Sequence, residues 1–263
     1  MNDWRTYDLV ADTYERVHAP RFIEVARDLV ALAEVQPGTR VLDVGTGTGV
    51  TAEAVLDAGS AAVGVDESIE MLAVGRRARP LVRTAAATAI DLPFRDATFD
   101  AALGNFVLAH FANVHTGLAD VIRVVKTGGR IAFSTWADKT DAYQEAWRGL
   151  IESVVPSEML APAYAEAAPG HERFRHRQAL EEVLIDAGLR RVRTETSKYR
   201  WTYGREEYLE GLSVWATGRF VKEMLGENGW ADLMERAKAL FADRFPDPLN
   251  DFRDVILAIG TKQ

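Results

Sequence analysis

Cysteine is missing altogether from this 263-residue chain, which excludes disulfides, thiolate catalysis and cysteine-ligated zinc. Positive charge is in deficit: 31 Lys and Arg stand against 39 Asp and Glu, a formal net charge of −8. General affinity for nucleic acid is therefore not expected. No apolar run approaches the length of a membrane-spanning helix. The opening MNDWRTYDLV has neither a basic n-region nor an apolar h-region. These absences predict no secretory signal and no membrane insertion, with the cytosol as the compartment. Internal repeats and low-complexity tracts are lacking as well. What remains is ordinary for a globular protein: 48% hydrophobic and 27% charged residues support a substantial core without staples.

Phe22, Val25, Ala26, Leu29, Val30 and Ala33 recur at helical spacing and stop near Pro37-Gly38. Short apolar strands then alternate with helical stretches. Strands are predicted at 40–44, 61–65, 81–85, 100–104 and 130–135, and helices near 50–58, 69–79 and 114–125. This rhythm is the pattern of an α/β fold with a doubly wound, mostly parallel sheet. A helix near 177–187 and strands at 191–198 and 255–260 complete it. Residues 199–250 break the alternation and hold Trp201, Tyr203, Tyr208, Trp215, Phe220, Trp230, Phe241 and Phe245. They read as a mostly helical cap inserted before the last strand. The expected organisation is one domain: an N-terminal helical lid over 1–36, a ligand-binding core over 37–136, and the cap.

The stretch VLDVGTGTGV, residues 41–50, places three glycines at alternate positions behind an aspartate. Glycine is favoured where φ is positive or where another group approaches the backbone closely. The first strand–helix turn of an open parallel sheet lies where ligands bind. The spacing Gly45-x-Gly47-x-Gly49 departs from the G-x-G-x-x-G of dinucleotide sites. Asp43 would also set negative charge beside a pyrophosphate. That charge suits an α-ammonium group, while the following helix N-terminus favours a carboxylate. S-adenosylmethionine carries both groups and no phosphate. Asp66, closing the second strand in VGVDES, is suited to accept hydrogen bonds from two ribose hydroxyls, as it would also be in an NAD site.

From Tyr7 to Trp136 the chain resembles the class I S-adenosylmethionine-dependent methyltransferases. More narrowly, it resembles the branch of ubiquinone/menaquinone biosynthesis and other small-molecule methyltransferases. VLDVGTGTG, VGVDESIEML, AIDLPFRDATFDAALGNFVLAHF and VIRVVKTGGRIAFSTW carry the likeness. The resemblance implies a Rossmann-like, seven-stranded sheet with an antiparallel last strand. It implies S-adenosyl-L-methionine as cofactor, S-adenosyl-L-homocysteine as product, and a small, partly apolar methyl acceptor. Position by position, the Gly45–Gly49 turn, with Thr46 and Gly47, would pass its backbone against the methionyl part. Asp66 would hold the ribose, with Glu67 and Met71 flanking the adenine. Asn105 would offer its backbone to the methionyl ammonium, with Phe106 beside it. Thr88 stands where the family often has an acid; its hydroxyl, a water or backbone groups would replace that contact, and Ala89 and Ile90 would neighbour the adenine. Similar N-terminal tyrosines cover the cofactor in related enzymes, which points to Tyr14, on one helix face with Tyr7.

A sulfonium methyl is already activated, so the protein chiefly aligns a nucleophile behind it. His110, in NFVLAHF, is the candidate base or orienting group; organising the loop after the fourth strand is the competing role. The aromatic cap suits an apolar acceptor pocket, although Tyr208, Leu212 and Trp215 at helical spacing also suit simple packing. Most cap aromatics are expected inside, with two or three facing the acceptor. A homodimer contact is the other use of such a segment. His171 and His176 of HERFRH are separated by two arginines, which predicts an exposed loop and no metal site. Two other function classes stay open at this level: an NAD-dependent oxidoreductase, and a catalytically silent S-adenosylmethionine-binding protein.

Overall fold

The computed structural model describes residues 4–138 and 141–263, so residues 1–3 of the expected lid lie outside the described residues. A 3-10 turn (Asp8–Val10), a single helical turn α1 (Ala11–Thr13) and a π-helical turn (Tyr14–His18) lead into α2 (Ala19–Leu32). The core then runs β1 (Arg40–Val44), α3 (Val50–Asp57), β2 (Ala61–Asp66), α4 (Ile69–Ala78), β3 (Arg83–Ala86), β4 (Phe99–Asn105), α5 (Val114–Val124) and β5 (Val125–Trp136). Beyond it lie α6 (Ala142–Glu152), α7 (Ser157–Ala167), α8 (His171–Phe174), α9 (Arg177–Asp186) and β6 (Arg190–Tyr203). Helices α10 (Arg205–Leu212) and α11 (Ala216–Arg244), the latter broken at Gly226, precede β7 (Leu249–Thr261).

Seven strands form one sheet in the order β3-β2-β1-β4-β5-β7-β6. β7 runs antiparallel to both neighbours, and the other pairings are parallel. The expected seven-stranded, mostly parallel sheet is thus present. Val41, Leu42 and Val44 of β1 are almost fully buried, as a central parallel strand covered on both faces requires. Local signals set the helix starts. The Ser68 hydroxyl accepts from the Met71 N–H to cap α4, and Asp141 and Gln144 form a capping box on α6. Strand order reverses between β1 and β4, which opens the crevice at their carboxyl ends.

Three sequence expectations need correction. β3 begins at Arg83, and Leu81 is 83% exposed, so the apolar character of 81–82 did not mark a strand. β6 extends through Trp201 to Tyr203, because β7 also starts early and the two pair over their whole lengths. Tyr199, Trp201 and Tyr203 alternate inward with exposed Arg200 and Thr202, so the first residues assigned to the cap are strand. Helices α6 to α8 had no counterpart in the sequence reading. α7 carries Pro162 inside it and lacks a side-chain cap, so its start signals are weak.

Gly45 shows what the turn after β1 demands. Its φ is +65°, and an added Cβ would sit 2.1 Å from Val107 Cγ2. Gly128 has φ +79° with nothing within 4 Å of the same position. Gly45→Ala should therefore cost roughly 2–4 kcal/mol, joining left-handed strain to overpacking, and Gly128→Ala only about 1–2 kcal/mol. Urea unfolding of both variants measures the difference; equal losses would remove the role of the Val107 contact.

Candidate active site

The glycine turn is organised by a buried carboxylate. Asp43 Oδ2 accepts from the Thr46 hydroxyl at 2.5 Å and from the Ala52 N–H of α3 at 3.0 Å. Thr46 N–H donates to the Val65 carbonyl at 2.8 Å, which fastens the turn to β2. Asp43 Oδ1 is buried with no hydrogen-bond partner. Desolvation pushes the Asp43 pKa up to about 7 against the hydrogen bonds from Thr46 and Ala52, which favour the charged form. Asp43 thus anchors the loop with one oxygen and leaves the other unmatched. An ammonium opposite Oδ1 would restore the charged form.

Asp66 closes the next turn. Its two oxygens accept from Gly47 N–H at 2.8 Å and Ser68 N–H at 2.9 Å, while desolvation raises its pKa. The carboxylate therefore spans the glycine turn and the start of α4, and retains lone pairs for further donors. Glu67 is exposed beside it, and Met71 is buried with Ala11 and Val74. Just after β3, Thr88 is exposed, Ile90 is 50% exposed and Ala89 packs against the hydrophobic core.

The N-terminal segment is tied over this turn. Ser68 donates to Asp8 at 2.6 Å, and Arg79, buried between Glu15 and Glu53, pairs with them at 2.8 and 2.9 Å. Tyr14 reaches within 3.9 Å of where a Gly47 Cβ would sit, and Met71 Cε within 3.2 Å. A side chain at Gly47 would fill this cradle. Tyr14 lies in the π-helical turn, a local distortion frequent at functional sites that the helical spacing does not reveal. Desolvation raises the Tyr14 pKa well above its usual value, so its hydroxyl stays protonated.

At the end of β4, Asn105 pairs with Ser134 of β5. The Ser134 hydroxyl donates to Asn105 Oδ1 at 2.6 Å and accepts from the Phe106 N–H at 2.9 Å. Phe106 adopts φ +58°, an uncommon conformation for an aromatic residue and one that clusters at functional sites. Its ring stacks on Trp136 at 4.1 Å and meets Phe22 at 4.9 Å. His110 follows in a 3-10 turn (Leu108–His110). Its Nδ1 lies 3.0 Å from the Ala167 carbonyl, so Nδ1 carries the proton and Nε2 is the basic nitrogen. The ring lies 5.9 Å from Tyr7, and desolvation by the protein packed around it lowers its pKa. His110 therefore ties the turn after β4 to the end of α7 while presenting a neutral imidazole.

Beyond Phe106 the cleft opens into a cavity of about 740 Å³ at the carboxyl ends of β5 and β6. Phe22, Trp136, Trp201, Tyr203, Tyr208 and Trp215 supply its aromatic wall, drawn from α2, two strands and the α10–α11 region. Four cap aromatics thus line the cavity where two or three were expected, and the remaining four pack elsewhere: Trp230 against Trp147, Phe241 against Tyr208, Phe245 against Tyr143 and Phe220 against Trp4. The opposite wall comes from α6, α7 and the turn before α8. There the expected exposed loop is corrected. His171 is half-buried, lines the cavity and lies 3.2 Å from the Tyr164 hydroxyl, and burial takes its pKa down to about 4. His176 is exposed, as expected. Arg21 is a second cavity residue that sequence reasoning missed, because it sits on the polar side of an otherwise apolar helical repeat. Among the described residues no group of three or more His, Asp and Glu side chains is arranged to hold a metal ion, and no helix is long and apolar enough to cross a membrane.

A glycine turn anchored on a buried aspartate, a second-strand aspartate and an adjoining aromatic cavity define a nucleotide-type α/β enzyme site of the methyltransferase kind. Residues 42–133 match the family model described as a methyltransferase domain. A demethylmenaquinone methyltransferase of Paenarthrobacter aurescens is 35% identical over 188 residues, covering 69% of this chain and 73% of the relative. One from Renibacterium salmoninarum is 37% identical over 134 residues, covering 51% of this chain but only 55% of the relative. In fold, the chain resembles a phosphoethanolamine N-methyltransferase 2 from Haemonchus contortus, solved with S-adenosylhomocysteine (TM-score 0.61, 17% identity, 100% of this chain and 60% of that one). The chain belongs to the class I S-adenosylmethionine-dependent methyltransferases, in the menaquinone/ubiquinone-like branch.

The Asp43 environment generates a pH prediction for the cofactor-free protein. The folded carboxyl titrates near 7 and an ordinary one near 3.8, so between these values the folded chain keeps a proton that the unfolded chain has lost. The Asp43 contribution to stability is thus full below 3.8 and disappears as pH rises through 7. Asp43→Asn removes this dependence. The variant's unfolding free energy, relative to wild type, should rise by roughly 1–4 kcal/mol across that window. Parallel pH profiles in denaturant titrations would show that Asp43 is not the titrating group.

Proposed function

We propose that the protein transfers a methyl group from S-adenosyl-L-methionine to a small, partly apolar metabolite held in the aromatic cavity. The observation that carries this reading is the pairing of two adjoining compartments across one stacked contact, Phe106 on Trp136. On one side lie the glycine cradle and the unmatched Asp43 Oδ1. On the other lies a cavity large enough for a metabolite with fused rings. The methyltransferases that resemble the chain act, by their name, on demethylmenaquinone. An NAD site is disfavoured by the same features, since Asp43 brings negative charge to the turn.

The residues present fit the cofactor. Gly45 to Gly49 would receive the methionyl part, with Asp43 and the Asn105 backbone toward its ammonium and Asp66 at the ribose. Glu67 and Met71 would flank the adenine, with Thr88, Ala89 and Ile90 at its edge and Tyr14 covering the cradle. Bound there, the cofactor supplies an electrophilic methyl group for in-line displacement. The protein then aligns the acceptor and excludes water. Helix α10 and the start of α11 serve as the acceptor-side lid in this reading. A homodimer through the aromatic-rich C-terminal region would have to form without Trp230 and Phe241, which are buried within the chain. A cytosolic location belongs to the same proposal.

Calorimetry with S-adenosylhomocysteine and NAD tests the cofactor, and the former alone should bind. Asp66→Ala should weaken that binding by about 1.5–3 kcal/mol, the value of hydrogen bonds to a charged carboxylate. A folded variant with unchanged affinity would remove Asp66 from the site.

His110 has two roles that separate kinetically. As a general base its replacement in His110→Ala should lower turnover by about 10²–10⁴ with cofactor affinity intact. As a tether to Ala167 alone, its loss should cost only a few-fold in rate and lower the Tm. Single-turnover methyl transfer, run beside thermal unfolding, decides between them.

A further inference from the structure

Two residues of the acceptor cavity carry buried donors that the protein itself does not satisfy. Arg21 and Tyr208 both line it. The Nε and Nη2 of Arg21 and the hydroxyl of Tyr208 are closed to bulk water and have no hydrogen-bond partner among the described residues. Unmet buried donors are rare in native proteins and call for a ligand or an ordered water. These donors gather about one ring. The Arg21 guanidinium carbon lies 3.5 Å from the Tyr203 centroid, and the Tyr203 and Tyr208 rings are 5.6 Å apart.

The guanidinium is positioned from its other edge. His18 Nε2 lies 2.9 Å from the Gly211 carbonyl oxygen, which only accepts, so Nε2 carries the proton. His18 Nδ1 therefore accepts from Arg21 Nη1 at 3.1 Å. Burial and the adjacent guanidinium take the His18 pKa down to about 3, which keeps the ring neutral. Gly211 permits this approach, since a Cβ there would lie 3.0 Å from Val17 Cγ1 and 3.2 Å from His18 Cε1. His18 is thus a positioning residue for Arg21.

We propose that Arg21 and Tyr208 form a carboxylate-binding floor, so that the methyl acceptor is a planar, partly apolar molecule carrying one carboxylate. Nε and Nη2 make up the side-on edge of a guanidinium, whose parallel N–H groups match the two oxygens of a carboxylate. The Tyr208 hydroxyl supplies a further donor. Glu207 and Asp251 are near enough to act on the guanidinium. Their charge opposes a second negative charge at Arg21, so a singly charged carboxylate is favoured there over a doubly charged phosphate. Phe22, Trp136, Trp201 and Trp215 receive the planar body. Tyr14 stands at the glycine turn and Arg21 at the cavity, seven positions further along the same helical segment. The anchor is therefore set apart from the methyl-donor end. This inference rests on the methyltransferase reading of the site.

The test titrates 2-naphthoate, 2-naphthyl phosphate and uncharged 2-naphthamide into the full chain by calorimetry, with S-adenosylhomocysteine present. Wild type should bind 2-naphthoate about tenfold or more tighter than the other two. Arg21→Met should erase that preference, and Arg21→Lys, which keeps the charge but not the fork, should lose most of it. Tyr208→Phe should give a smaller loss of naphthoate affinity, and all three variants should keep wild-type affinity for S-adenosylhomocysteine. Equal binding of naphthoate and naphthamide by wild type, or a preference that survives Arg21→Met, overturns the carboxylate floor. Tighter binding of the phosphate overturns it too. Failure of wild type to bind S-adenosylhomocysteine counts instead against the methyltransferase reading, and the charge preference is then measured without it.

Discussion

Asp43 is a carboxylate buried at the end of a central strand, and the turn around it is shaped by how its oxygens are satisfied. One oxygen takes the Thr46 hydroxyl and the Ala52 N–H in the first turn of α3, so the turn cannot open without exposing them. The other has no partner, and burial raises the pKa of the group to about 7. A buried charge that is half satisfied is unfavourable unless something else completes it. This constraint links stability to ligand binding: the interaction that keeps the turn closed is also the one that an ammonium group would complete.

The rest of the site is built outward from that turn. Gly45 lets Val107 approach, which brings the end of β4 against the end of β1. Ser134 on β5 then fixes Asn105 and Phe106 through one hydroxyl that both donates and accepts. The ring of Phe106, held at positive φ, meets Trp136 and Phe22. Each step transmits position from a strand end to the next side chain. The Arg79 pairs with Glu15 and Glu53 close the N-terminal segment over the same turn.

The cavity illustrates how an acceptor site is assembled from segments that share no sequence neighbourhood. Its walls come from α2, β5, β6, the α6–α8 insertion and the α10–α11 region. The Trp201 indole donates to the Arg21 carbonyl at 3.0 Å, and His18 reaches Gly211, so the N-terminal helix is stitched to both later walls. The resulting enclosure is aromatic on one side, with Arg148, Glu152, His171 and Arg175 among the polar residues of the α6–α8 side and Arg21 beside the aromatic wall. That division suits a ligand whose ring system is buried while one group is read by hydrogen bonding.

The central sheet was legible in the sequence because parallel strands buried on both faces must be short and continuously apolar, and their helices must repeat near 3.6 residues. The glycine turn was legible too, since the alternation of Gly45, Gly47 and Gly49 behind Asp43 has few local explanations. What the pattern could not carry was the extent of β6 and β7, where Trp201 and Tyr203 become strand residues only because β7 is there to pair with them. Nor could it carry the half-buried state of His171, the tautomers of His18 and His110, or the unmatched donors of Arg21. Those properties depend on which groups from distant segments come within hydrogen-bond distance and exclude water. Periodicity and turn chemistry are local and determined the sheet and its glycine turn; satisfaction of buried polar groups is non-local, and tertiary packing alone decided it.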